Sequence, residues 1–374
     1  MKASTLIPIA AIIALTMCTR SIENDPEHEI TFQVASYSSL NTKGNTDYKT
    51  NYAAVPFGAY AWYKGVNASD NTDFMTNQQV TYVATDNVWK PAGTTYYWPK
   101  TGTLDFFCYS PYTADGSAAP APTVTETSLA YPSWNVNSNL GVDVMYSDKA
   151  LNLQNNTTTY YYNGVPVLFH HALARLGFAC RLAYDEITAP TGDKTKWEVI
   201  VNSITLKDVK TTGTLALGIN ADGEHWDKPA SNVWTNDGTK TDIALDVTAL
   251  TTFTDVTPQT IGTPFFVIPQ ALNEGQKVVI NLTIKTYRDT GAGYALVLTE
   301  TGVDINGTLS SGALASWGIN QNITYTFILA PSSPVGTGVD LDGDGIEDQE
   351  PIVIHFDPAV DDWEDITVSA GINL

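Results

Sequence analysis

The sequence predicts an all-β protein, and three observations predict it. Apolar and polar residues alternate with period two in several segments, as half-buried strands require. Thr, Val and Tyr, which suit a pleated surface, recur throughout the chain. Long apolar stripes at helical spacing are scarce. Many short antiparallel strands with one solvated face favour sandwiches. The 374 residues suit two domains, and a hydrophobic content of 43% supplies a core for each.

The first 18 residues stand apart. Lys2 is their only charge, and an apolar run from Leu6 to Met17 ends at Cys18, before polar Thr19 and Arg20. This is a signal peptide, with an h-region too short to span a bilayer. Leu15-Thr16-Met17-Cys18 resembles a bacterial lipobox, with Met17 where a small residue is usual. The expected product is a lipid-anchored chain beginning at Cys18, exported to the outer membrane and cell surface.

Strands follow. Ile30-Thr31-Phe32-Gln33-Val34 alternates, placing Ile30, Phe32 and Val34 on one face. Leu104, Phe106 and Cys108 alternate with Asp105, Phe107 and Tyr109, so one face enters a core, and Pro111 ends the run because it has no ladder donor. His170 to Arg181 reads equally as a helix or a buried strand. Turn formers at Ala189-Pro190-Thr191-Gly192-Asp193 mark a boundary, giving domains at 19–188 and 195–374. A new run occupies Trp197 to Leu206. Val278, Ile280, Leu282 and Ile284 share a face, as do Ile323, Tyr325, Phe327 and Leu329.

Acidic residues outnumber basic ones 40 to 19, for a net charge of −21. Such a chain repels phosphate backbones and anionic headgroups, so nucleic acid is excluded as a partner. No zinc-protease, nucleophile-elbow, phosphate-loop or dinucleotide motif is present, and no catalytic residue or required cofactor is expected. His170 and His171 are adjacent and would point to opposite faces of a strand, which suits structural roles better than one metal. Cys108 and Cys180 lie in apolar segments, either as buried thiols or, in an exported protein, as a disulfide. The 19 tyrosines and 9 tryptophans fill β-sandwich cores or form a sugar-stacking platform.

Four segments, in order, resemble the fimbrillin family, the subunits of type V pili. Tyr96-Tyr97-Trp98-Pro99 through Phe106-Phe107-Cys108-Tyr109-Ser110-Pro111 is similar to its first aromatic stretch, with Cys108 where alanine is usual. Phe169-His170-His171-Ala172-Leu173-Ala174-Arg175-Leu176-Gly177-Phe178 resembles its F-x-H-A-L segment. Phe265-Phe266-Val267-Ile268-Pro269-Gln270 resembles its I-P-Q run, and Asp361-Asp362-Trp363 its C-terminal D-W. These motifs are packing motifs, with no reactive partner required.

The resemblance implies two transthyretin-like, Greek-key β-sandwiches and a structural or accessory pilus protein that supports adhesion. Its implied partners are other pilin subunits, a trypsin-like processing protease and, through its lipid, the outer membrane. Proteolysis after a basic residue would remove the lipid and the first strand, and a neighbour's strand would take the vacated groove. The expected cut is between Lys43 and Gly44; a cut at Arg20 would free the lipid and leave the groove closed. Two C-terminal segments are donor candidates within 352–374: Ile352, Ile354 and Phe356 on one face, and Ile366 to Leu374. Both also read as ordinary strands of the second domain. The alternative function is a surface lipoprotein that binds glycans on exposed Trp and Tyr.

Asp340, Asp342, Asp344 and Asp348 fall at positions 1, 3, 5 and 9 of a calcium loop, with Gly345 at the turn. Crowded carboxylates repel unless a cation lies among them, so calcium is an expected ligand here. Position 12 is Pro351, so the loop is closer to Asp-rich thrombospondin-type repeats than to an EF-hand.

Overall fold

The computed structural model describes residues 22, 24–34, 54–114, 121–154, 164–188, 192–218, 234–236, 238–245, 247, 252–254, 256–310, 314–331 and 352–362. Apart from two single-turn 3-10 segments at Ala68–Asp70 and Val136–Ser138, the regular elements are strands. The chain is all-β, as its alternation predicts.

In chain order, the first strands are β1 (Asn24–Glu29), β2 (Phe32–Val34), β3 (Phe57–Lys64), β4 (Thr72–Val83), β5 (Val88–Pro91), β6 (Tyr97–Pro99) and β7 (Thr103–Ser110). Then come β8 (Thr123–Val124), β9 (Ser128–Asn135), β10 (Met145–Ser147), β11 (Ala150–Leu153), β12 (Val165–Val167) and β13 (Phe169–His171). The next group is β14 (Ala174–Leu182), β15 (Ile187–Thr188), β16 (Lys194–Lys210), β17 (Thr212–Gly218), β18 (Trp234–Asn236), β19 (Lys240–Leu245) and β20 (Thr252–Phe253). The last are β21 (Gln259–Val267), β22 (Gln270–Ala271), β23 (Lys277–Asp289), β24 (Tyr294–Thr308), β25 (Ser316–Trp317), β26 (Gln321–Pro331) and β27 (Ile352–Asp362).

A nine-stranded sheet runs β12-β2-β5-β4-β3-β7-β10-β13, with β11 also paired to β7. Ile30 and Phe32 near one end of this path share a core with Leu104, Phe106 and Cys108 of β7 and with Val165 and Val167 of β12. The sheet therefore curls over on itself around one apolar centre. A second core lies between the sheet β21-β14-β26-β27 and the sheet β15-β16-β23-β24. The expected faces supply it: Val278, Ile280, Leu282 and Ile284 of β23, and Ile323, Tyr325 and Phe327 of β26, are buried. Phe178 stacks on Tyr325 and Phe327 at 5.7 and 5.6 Å between ring centres.

Two readings sharpen here. His170 to Arg181, open between helix and strand, is β13 and β14, and the chain changes sheets across Ala172-Leu173. That crossing is clamped: Ala172 N donates to Val144 O, Trp234 Nε1 to Ala172 O, and Asn320 N to Leu173 O. Strand β7 was expected to bury one face and buries both. Leu104, Phe106 and Cys108 enter the first core, while Phe107 and Tyr109 pack under a sheet ordered β18-β17-β9-β8. That sheet joins strands from both halves of the sequence, and only such a cover makes the second face of β7 apolar territory.

Candidate functional site

The site the sequence points to is the first strand and the pocket that holds it. β1 pairs with β6, and Ile30 N continues that pairing by donating to Tyr96 O at 2.8 Å. The chain then crosses to the curled sheet, where β2 lies between β12, parallel to it, and β5, antiparallel to it. Ile30 and Phe32 are 0% and 1% exposed. The ring of Phe32 meets Phe57 at 5.7 Å and Phe106 at 5.9 Å, both edge-on, and Trp98 closes on Phe106 at 5.8 Å. Edge-to-face packing of this kind adds to the area term for burying an aromatic.

Gly164 lets β12 approach this strand. Its φ is +88°, and a Cβ there would lie 2.9 Å from Thr31 O and 3.0 Å from the carbonyl carbon of Phe32. The close approach lets Val165 N donate to Thr31 O at 2.7 Å. The pocket therefore has an aromatic floor and a glycine-lined wall, and it fits a strand with an aliphatic residue two places before an aromatic one.

At the other end of the chain, Ile352, Ile354 and Phe356 lie in β27, which pairs antiparallel with β26 from Gln321↔Asp362 to Pro331↔Ile352. Among the described residues β27 lies at one edge of its sheet. Val34 ends β2. Cys18, Arg20, Lys43, Gly44, Asp340, Asp342, Asp344, Asp348 and the segment Ile366 to Leu374 lie outside the described residues.

The other singled-out residues are structural. Cys108 and Cys180 are free thiols in different cores. Burial pushes the Cys108 thiol well above its usual range and the Cys180 thiol up to about 12, with the Arg181 backbone opposing the latter. His170 Nε2 lies 2.9 Å from Asp148 Oδ2, and His171 Nδ1 lies 2.9 Å from Asp143 Oδ1, so the neighbouring rings serve separate carboxylates. Gln270 of the Ile268-Pro269-Gln270 run is fully buried and clips β16 to β22, accepting from Lys210 N and donating to Lys210 O. Among the described tryptophans, Trp62, Trp89, Trp98, Trp134, Trp197, Trp234 and Trp317 are all buried.

Lys149 gave no signal in the sequence. It is buried, donates to Glu126 O at 2.5 Å and sits 5.1 Å from the Trp62 ring centre. Burial lowers its pKa, while the nearby Asp105 carboxylate opposes that shift. It ties the β8–β9 turn to the curled sheet, a long-range contact with no local pattern to reveal it.

A model of a fimbrillin-like family matches residues 42–342. The chain belongs to the fimbrillin-like family. No curated protein matches it. Among solved structures, a fimbrial protein from Bacteroides vulgatus is similar at 13% identity, with a TM-score of 0.55, covering 90% of this chain and 100% of that one. A candidate cell adhesion protein from Bacteroides uniformis aligns at 15% identity and TM-score 0.49, over 90% of this chain and 99% of its own. The C-terminally truncated tip fimbrial protein Mfa3 from Porphyromonas gingivalis aligns at 10% identity and TM-score 0.33, over 83% and 94%. At these identities the first likeness establishes a shared fold. The fimbrillin-like match itself spans the pocket walls from β3 to β12 and most of the second sandwich.

Proposed function

We propose that this protein is a structural or accessory subunit of a surface fimbria, joined to its neighbours by strand exchange and serving adhesion. The observation that carries the proposal is the placement of Ile30-Thr31-Phe32. It is the crossing from β1 into β2, with Ile30 and Phe32 buried, upstream of a basic residue, Lys43. A trypsin-like cut between Lys43 and Gly44 would separate it from the domain it completes. The vacated pocket would then take a strand from the C-terminal end of another copy, by β-strand addition. Three apolar side chains in such a groove contribute roughly 5–9 kcal/mol gross, at about 1.5–3 each. That joint needs no covalent chemistry.

In this reading Cys18 carries a lipid that delivers the precursor to the outer membrane, and the lipid leaves with the first strand. A cut at Arg20 instead would release the lipid and keep the pocket filled. The test compares forms beginning at Thr19 and at Gly44 by electron microscopy. Filaments from the Gly44 form alone are expected, and their loss on truncation after Pro334; absence of filaments from both forms removes the proposal. Glycan stacking gains nothing from the structure, because the described tryptophans serve the cores.

The loop from Asp340 to Asp348 is proposed to take calcium through Asp340, Asp342, Asp344 and Asp348, on its oxygen-only spacing. Titration calorimetry should show calcium-dependent heat and an EGTA-sensitive rise in stability; no heat would dismiss the ion.

A further inference from the structure

Three buried side-chain atoms find no hydrogen-bond partner among the described residues: Tyr131 OH, Trp134 Nε1 and Asn236 Oδ1. All three belong to the sheet β18-β17-β9-β8. Buried polar groups close by are matched within the chain. Trp234 Nε1 donates to Ala172 O, and Gln270 accepts from Lys210 N and from Gln276 Nε2. A buried group left unmatched costs its full desolvation, so three in one patch mark something that the patch holds. We infer that an ordered internal water is built into the fold here, accepting from the Trp134 indole, donating to Asn236 Oδ1 and bonded to the Tyr131 hydroxyl.

Placement brings the three groups together. Gly213 of β17 pairs with Trp134 on one side and with Asn236 on the other, so they form one row across the sheet. Residues directly opposite share a face. Gly213 contributes no side chain between them. A Cβ there would lie 3.5 Å from Asn236 Oδ1 and 3.4 Å from Ile268 Cδ1, so this face of Gly213 looks onto the unpartnered carbonyl and the core. The next row is Tyr131, Leu215 and Trp234. Tyr131 and Trp134 are three residues apart, which in a regular strand sets them on opposite faces. A register shift in the β9–β17 ladder falls between them, and both enter the same core. Bulges re-aim side chains in this way. Their rings meet edge-on at 6.2 Å.

The chemistry is complementary. An indole N–H only donates, an amide oxygen only accepts, and a phenol does either. Burial pushes the Tyr131 pKa well above its usual range, and the nearby Tyr109 and Tyr60 add to that, so the phenol keeps its proton. One molecule that both donates and accepts satisfies all three. Enclosure of the three atoms keeps that molecule small, and a buried water makes about three hydrogen bonds. The water sits at a seam: β9 comes from the first half of the chain and β18 from the second. It adds a polar link to the cover over the second face of β7.

The experiment is a rotating-frame Overhauser measurement to water on the uncut chain, deuterated and labelled with 15N at tryptophan. Trp134→Phe assigns the indole signal by its loss. The Trp134 indole proton should show a cross-peak to water with the sign of a through-space contact, opposite to that of exchange. The Trp234 indole, held by Ala172 O, should show none and serves as the control. Asn236→Leu should abolish the cross-peak while the Trp234 signal stays in place, which reports a folded cover. Tyr131→Phe, which removes one oxygen, should shift the Trp134 indole resonance and leave that of Trp317 where it is. No water contact at Trp134 overturns the inference, as does a contact that survives Asn236→Leu. A Trp134 resonance unmoved by Tyr131→Phe strikes Tyr131 from the site.

Discussion

The first and last described strands are held in opposite ways. β2 ladders with β12 at three positions and with β5 at one, yet Ile30 and Phe32 around it are fully enclosed. β27 ladders with β26 along its whole 11-residue length, yet has no partner strand on its other side among the described residues. One strand has enclosed side chains inside a sheet, the other a long backbone ladder on one side. A strand of the first kind leaves a shaped pocket when removed, which only a strand of similar shape refills. A strand of the second kind can unzip one bond at a time. The same chain thus carries an enclosed short strand and a long one-sided ladder.

Four measurements would break or sharpen this contrast. Phe32→Ala in the uncut chain should cost about 3–5 kcal/mol in urea unfolding, because a large aromatic leaves a cavity walled by Phe57 and Phe106. A loss under about 1 kcal/mol would mean that the pocket collapses and shape retains nothing.

Alkaline pH compares the two cores through their thiols. Cys180 is raised to about 12 by burial, and Cys108 is raised as well, whereas an unfolded thiol titrates near 8.5. A raised folded value means that the fold binds the proton more tightly. The stabilisation is complete below pH ~8.5 and declines as pH rises toward 12, by up to about 1.4 kcal/mol per unit for each thiol. Cys180→Ala should flatten part of that slope in denaturation curves from pH 8 to 11, roughly the window the shift defines. An unchanged slope would show that the second core admits water at the thiol.

Gly164→Ala should cost about 1–3 kcal/mol, through its positive φ and the clash with Thr31 O. Hydrogen exchange should report lost protection at the Val165 amide first. Unaltered protection would mean that β12 does not depend on the close approach.

Tyr325→Phe probes the strand that carries β27. Tyr325 accepts from Trp317 Nε1 at 2.7 Å and donates to Leu309 O at 3.1 Å, so its removal leaves two buried groups unpaired. A loss of about 1–2 kcal/mol is expected in thermal unfolding. A stabilising effect would count against the buried polar link.

The candidate site was legible to the extent that it is local. Ile30 and Phe32 announce a buried face by alternation, and Lys43 lies downstream in plain sequence. What alternation left unstated is that Ile30 belongs to the pairing with β6 and Phe32 to the curled sheet, because a crossing between sheets leaves no period of its own. Lys149 was invisible for a related reason: its partners, Glu126 and Trp62, are distant in sequence.

By itself the sequence determined the all-β class, the inward faces of β23 and β26 and the family motifs, since strand periodicity and aromatic packing are written in neighbouring residues. Tertiary structure alone decided that His170 to Arg181 is two strands, that β7 is buried on both faces, that the two cysteines occupy separate cores, and that β27 pairs along β26. Each of these depends on which distant strand lies alongside. Pairing energy is nearly independent of sequence at the backbone, so partner choice is settled by the whole set of faces that must be covered at once.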